Sequence, residues 1–197
     1  MRIGGDRQME TVFKATERFA QEAMADNDTA HDARHLRRVV SIAMQLAERT
    51  GADSFRTRML ALLHETNDDK LSSNLGLSAV EAFLQKLSLP QAEIDFLLMG
   101  IPYISYRKHP KLSPDIPLEI RIVQDADRID AMGAVGIART FAYGGAKGRT
   151  LEDSLEHFDE KLLKLYDLLS TPEAKELAKP RYAFLKSFYR QFQKETE

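Results

Sequence analysis

The sequence predicts an all-α helical bundle, and three observations carry that prediction. Apolar residues recur at three- and four-residue steps through nearly all of the 197 residues. No stretch alternates apolar and polar residues in the two-residue period of a half-buried strand. No internal repeat, low-complexity tract or linker splits the chain, so a single domain over 1–197 is expected.

The elements follow in order. Val12, Phe13, Phe19, Ala20 and Met24 mark a first amphipathic helix that ends near Asp26-Asn27-Asp28. Asp28 or Thr29 can cap a second helix, whose Leu36, Val39, Val40, Ala43, Leu46 and Ala47 share one side and which stops at Gly51. Ser54 can cap a third through Met59, Leu60, Leu62 and Leu63, which delivers His64-Glu65. Residues 67–76 are polar and read as a turn or loop. Ser78 opens a short helix to Leu87, and Ser88-Leu89-Pro90 reads as a cap with proline in the first turn of the next.

Tyr103 to Pro117 holds three prolines and reads as a loop, basic at Arg107, Lys108, His109 and Lys111. A helix from Leu118 to Met132 follows, with Gly133 and Gly136 beyond it available for close helix packing. Tyr143 to Arg149 reads as a mobile glycine-rich loop. Two C-terminal helices within 151–194 are expected, Leu151–Leu169 and Pro172–Lys194, with Thr171 capping the second and Pro180 kinking or interrupting it.

Composition narrows the class. The chain is 43% hydrophobic and 29% charged, ordinary for a soluble globular protein. Its net charge of −2 gives no basic excess, so no nucleic-acid partner is expected. Cysteine is absent, which excludes disulfides and thiolate ligands and fits a reducing compartment. No apolar run nears the length of a membrane span, and Met1 to Asp6 lacks the apolar core of a signal peptide. A cytoplasmic location is the simplest expectation.

Several polar residues could carry chemistry. His31 and His35 are four apart on one helix, with Arg38 three further on, and so share a face. His64 and Asp68 are also four apart, and Asp127 and Asp130 share a face of a later helix. A helix face cannot surround an ion, so a metal site needs ligands converging from several elements. His35, His64, Glu65 and Asp127 offer two nitrogens and two carboxylates. That set suits an octahedral Mn, Fe, Co or Mg ion with positions left for water and substrate. Residue by residue, simpler readings stand beside this one. A single helical histidine is usually just hydrogen-bonded, and residues 125–128, taken alone, read better as a solvated charged turn.

Taken together, the motifs resemble the HD-domain metal-dependent phosphohydrolases, and more closely their YpgQ/YedJ-type branch of small bacterial proteins. His31-Asp32-Ala33-Arg34-His35-Leu36-Arg37-Arg38-Val39 is similar to the branch pattern HDxxHxxRV. Ala61-Leu62-Leu63-His64-Glu65-Thr66-Asn67-Asp68-Asp69-Lys70 is similar to ALLHDxxDxK. The run from Ile122 to Phe141, with Tyr143-Gly144-Gly145 behind it, is the most specific match. A lone His-Asp pair says little; this ordered set, spread over about residues 10–195, says much. Three features depart from the pattern: Glu at position 65 where the family has Asp, Ala33-Arg34 in place of an aromatic pair, and Pro180 in the last helix.

The resemblance implies an HD fold with core motifs over 31–130. It implies one divalent metal ion, Mn first and Mg, Fe, Co or Ni as alternatives, held by His35, His64 and Asp127 with Glu65 as fourth ligand. Asp68 falls where related enzymes orient or deprotonate the attacking water, with Asp69 beside it, and Lys70 where a phosphate is held. His31, Arg38, Arg128, Lys147 and Arg149 are candidate substrate contacts. The implied activity is hydrolysis of a nucleotide or other phosphate ester or anhydride, with nucleoside triphosphate pyrophosphohydrolysis as its specific form. The alternative, motivated by Glu65, is a degenerate HD module that binds a nucleotide or metal without turnover, as sensor or scaffold. The expected partner is a small phosphate substrate, with no nucleic acid and no membrane. Oligomeric state is left open, a homodimer included.

Overall fold

A computed structural model describes residues 5–24, 33–66, 76–105 and 115–196. Among these the chain is helical throughout: α1 Asp6–Ala23, α2 Ala33–Thr50, α3 Ser54–Leu63, α4 Gly76–Lys86, α5 Gln91–Ile104, α6 Leu118–Asp130, α7 Gly133–Ala146, α8 Leu151–Glu160 and α9 Pro172–Thr196, with a 3-10 turn at Leu162–Lys164. The all-α expectation holds. No described helix is long and apolar enough to cross a membrane.

The core is built on α2, α3 and α6. α2 turns Leu36, Val39, Ile42, Ala43, Leu46 and Ala47 inward and keeps Arg34, Arg37 and Arg49 outside, the amphipathic pattern that drives a helix onto a core. α3 has no polar stripe in its second half. Met59 to Leu63 are all buried, so this helix is surrounded by α1, α2, α5 and α6. α6 is unusual, since nine of its thirteen residues are buried and Gln124, Asp125, Arg128 and Asp130 are among them. Each of these polar groups needs a partner, because an unmet buried polar group costs about 1–3 kcal/mol.

A second layer of α7, α8 and α9 packs on this centre. Phe141 of α7 meets Phe158 of α8 and Phe188 and Phe192 of α9 at centroid separations of 6.0, 5.8 and 5.6 Å. Asp125 fastens α9 to α6. Its carboxylate accepts from the backbone N–H and hydroxyl of Ser170, at 2.9 and 3.0 Å, and from those of Thr171, at 3.0 and 2.9 Å. Thr171 in turn caps α9 by accepting from the Ala174 N–H. The turn from α6 into α7 is tight. Gly133 has φ +74°, and a Cβ on Gly136 would lie 2.0 Å from the Ala131 carbonyl oxygen.

Several local expectations change. Asp53, not Ser54, caps α3, its side chain accepting from the Arg56 N–H. α4 starts at Gly76 rather than Ser78. Pro90 is itself the N-cap of α5, without a side-chain cap. α5 continues past Tyr103 through Pro102, because Ile101 and Ile104 still have core to fill. The glycines 144 and 145 are helical, not loop. A Cβ on Gly144 would lie 2.1 Å from Ser154 Oγ, so the glycine lets α8 approach α7. The expected helix to Leu169 ends at Glu160. Leu162, Leu165 and Leu169 keep their three- and four-residue spacing through the 3-10 turn and the turns after it. Pro180 does not interrupt α9: proline removes one donor, while Ala174, Ala178 and Leu185 stay buried on both sides of it. The caps expected at Asp28 or Thr29 lie outside the described residues.

Candidate metal centre

The close packing of α2, α3 and α6 brings four side chains to one point. His35 comes from the first turn of α2, His64 and Glu65 from the turn that ends α3, and Asp127 from the last turns of α6. One ligand atom from each lies within 4.8 Å of all the others. His35 Nε2 is 3.4 Å from Glu65 Oε1 and 3.6 Å from Asp127 Oδ1. His64 Nε2 is 3.2 Å from Glu65 Oε1 and 3.4 Å from His35 Nε2. Ligands ~2.1 Å from one ion and at right angles stand roughly 3 Å apart, so the spacing fits a shared ion.

The far nitrogen of each ring is committed. His35 Nδ1 donates to Asp130 Oδ2 at 2.8 Å, and His64 Nδ1 donates to the Ala61 carbonyl at 2.8 Å. With the proton on Nδ1, the Nε2 lone pair faces the cluster, the arrangement metal-bound histidines adopt. Glu65 reaches the same point as the rings despite its extra methylene.

The electrostatics ask for positive charge. Burial pushes the His35 imidazolium down, yet hydrogen bonds to Asp130 and Glu65 and the charge of Asp127 outweigh it, and its pKa is raised to about 9. His64 moves the same way: burial opposes, and Glu65 and Asp127 prevail. Without an ion, protons take the role a dication would fill. Donor chemistry, spacing and charge therefore all fit a divalent metal. His35, His64 and Glu65 are buried, while the Asp127 side chain keeps 26% exposure and forms the open side.

Asp130 lies behind His35. Burial pushes its carboxyl up, but His35 and Arg38 more than reverse this and hold it well below the usual range. Arg38 donates through Nε to Oδ1 at 2.7 Å, and Arg139 through Nη1 to Oδ2 at 2.8 Å.

Sequence reasoning thus finds the four residues that converge. It places Arg38 beside them, though on Asp130. Arg128, expected on substrate, is instead 2% exposed and donates to the Leu168 carbonyl at 2.7 Å. Lys147 and Arg149 lie past the end of α7, each against the Tyr143 ring at 5.6 and 5.7 Å. His31, Asp68, Asp69 and Lys70 lie outside the described residues. Two more residues stand at the site to which the sequence assigned no role. Asp130 gave a signal, sharing a face with Asp127; Arg139 gave none by spacing, because only the tight α6–α7 turn brings it back.

Comparison with known proteins agrees with this architecture. The HD domain family model matches residues 32–132. The protein YpgQ of Bacillus subtilis is 37% identical over 184 residues, 90% of each chain. The chain belongs to the HD domain family. Among solved structures it is similar to Bacillus subtilis YpgQ in complex with ADP, at TM-score 0.82 and 33% identity, covering 95% of this chain and 96% of that one. It is also similar to an HD-superfamily hydrolase from Bacillus thuringiensis, at TM-score 0.78 and 39% identity, covering 95% and 97%.

Proposed function

We propose that this protein is a metal-dependent phosphohydrolase acting on a nucleotide or a related phosphate ester or anhydride. The observation that carries the reading is the convergence of His35, His64, Glu65 and Asp127 within 4.8 Å in a chain of the HD domain family. The hydrolase named among its structural relatives supports the reaction class, and the ADP complex of Bacillus subtilis YpgQ supports a nucleotide.

His35, His64, Glu65 and Asp127 would hold one divalent ion, with Mn the first choice. Such an ion supplies Lewis acidity toward a water and a phosphoryl oxygen. Asp127, on the open side, keeps the site accessible to phosphate. Asp68 is assigned to orient or deprotonate the attacking water, with Asp69 assisting. Lys70 is assigned to the phosphate by motif order, with His31, Lys147 and Arg149 as further contacts. Release of pyrophosphate from nucleoside triphosphates is the specific reaction we propose. Metal analysis of the purified protein, followed by a nucleotide panel assayed with Mn, tests the reading. The expected result is turnover that His64→Ala abolishes; no bound metal and no His64-dependent turnover would overturn it.

A second reading, binding without turnover, is favoured by one observation: glutamate occupies position 65, and its Oε1 is 3.4 and 3.2 Å from the two Nε2 atoms. Glu65→Asp separates the two. Activity created from none marks a binder, whereas activity lost marks Glu65 as an adapted ligand.

A further inference from the structure

The Asp130 carboxylate is fully buried and receives donors from two other helices, α2 and α7. Oδ1 accepts Arg38 Nε at 2.7 Å, while Oδ2 accepts Arg38 Nη2 at 3.1 Å, Arg139 Nη1 at 2.8 Å and His35 Nδ1 at 2.8 Å. The two arginines suffice to balance the charge and to tie α2 and α7 to α6. The bond to His35 does something more. An imidazole has two polar atoms, so fixing Nδ1 on Asp130 fixes where Nε2 points, and it points at His64, Glu65 and Asp127. Asp130 itself lies across the ring from that cluster and is not a ligand.

We infer that Asp130 is a positioning residue for the metal ligand His35, held in that task by Arg38 and Arg139. The inference rests on the metal-site reading above. It gives Arg38 a supporting role in place of the substrate contact its sequence position suggests, and it draws Arg139, and with it the placement of α7, into the site. The two ligand histidines then differ in kind. His64 is steered by a neutral backbone carbonyl and His35 by an anion, and a charge-assisted hydrogen bond is about twice as strong as a neutral one.

The test is Mn affinity, measured calorimetrically on ion-free wild type, Asp130→Asn and Asp125→Asn. Asp125 is an equally buried carboxylate on the same helix whose partners are Ser170 and Thr171. Asp130→Asn is expected to weaken Mn binding about ten- to a hundredfold. Asp125→Asn is expected to lower the melting temperature with Mn affinity unchanged within about twofold. A folded Asp130→Asn that binds Mn like wild type overturns the inference. Should that variant not fold, nitrogen-15 NMR of zinc-loaded wild type decides. A proton on His35 Nδ1 with Nε2 coordinated is expected, and a ring coordinated through Nδ1 overturns the assignment. Wild type that binds no divalent ion removes both this inference and the metal reading. Wild type that binds an ion without hydrolysing any phosphate removes the hydrolase reading alone.

Discussion

Asp125 and Asp130 sit five residues apart on α6, both fully buried, and do opposite work. Five residues turn a helix by roughly 140° beyond a full circle, so they face different neighbours. Asp130 meets two arginines and an imidazole, and stays ionised. Asp125 meets the backbone and hydroxyl groups of Ser170 and Thr171; its Arg128 neighbour stands off at 3.8 Å, and burial pushes its pKa up. Burial alone therefore says nothing about purpose. A buried acid ringed by neutral donors is a fastening, whereas one ringed by cations beside a ligand histidine is part of an ionic site.

Four experiments sharpen or break this contrast. The largest effect is expected from Asp127→Ala, on the site side of α6. It should remove Mn binding and at least ~10³-fold of any hydrolysis, consistent with the several kcal/mol a metal contributes. Because Asp127 is part-exposed, the ion-free melting temperature should barely move. A large loss of stability with Mn binding intact would erase the division of α6 into two functions.

Next in size is a pH effect on the ion-free protein. The folded pKa of His35 is raised from 6.5 to about 9. Its contribution is thus fully present below pH 6.5 and lost as pH rises through about 9, on the order of 3 kcal/mol. Mn binding must displace that proton, so Mn affinity should rise over the same window. Denaturant melts and calorimetry across pH 6–10, with a His35→Ala control, check both slopes. A flat affinity profile would mean that His35 is no ligand.

Asp125→Ala should cost about 2–3 kcal/mol in urea unfolding, because it leaves the buried Thr171 donors and the half-buried Ser170 donors unmet. Mn affinity should not change. The smallest effect belongs to a third acid, Glu93, which pairs with Arg56 near the surface at 2.8 Å and whose pKa is lowered chiefly by that hydrogen bond. Glu93→Gln should cost under ~1 kcal/mol. The wild-type pair's contribution is present above the ordinary glutamate range and lost as pH falls through the folded pKa. Acid unfolding curves of the two proteins should therefore converge at low pH.

What could be read from the sequence follows from the same contrast. Helix identity and the four converging residues were legible, because periodicity and ordered motifs are local properties. The division of labour within Asp125-Ala126-Asp127-Arg128-Ile129-Asp130 was not. Four charges in six residues look like a solvated turn until the partners on α2, α7 and α9 are known. Arg128, expected to offset phosphate charge, is buried instead and holds the Leu168 carbonyl. Gly144 looked like loop chemistry because its true constraint, Ser154 on α8, lies outside the glycine motif.

The uneven walls of the metal centre have a further consequence. Three of its four side chains are sealed and only Asp127 faces outward. On the reading proposed above, ion, water and phosphate would enter past Asp127, and their traffic would be sequential, the last arrival guarding the first. A bound product should slow the stripping of Mn by a chelator, and the exchange rate of the ion becomes a clock for how long product stays.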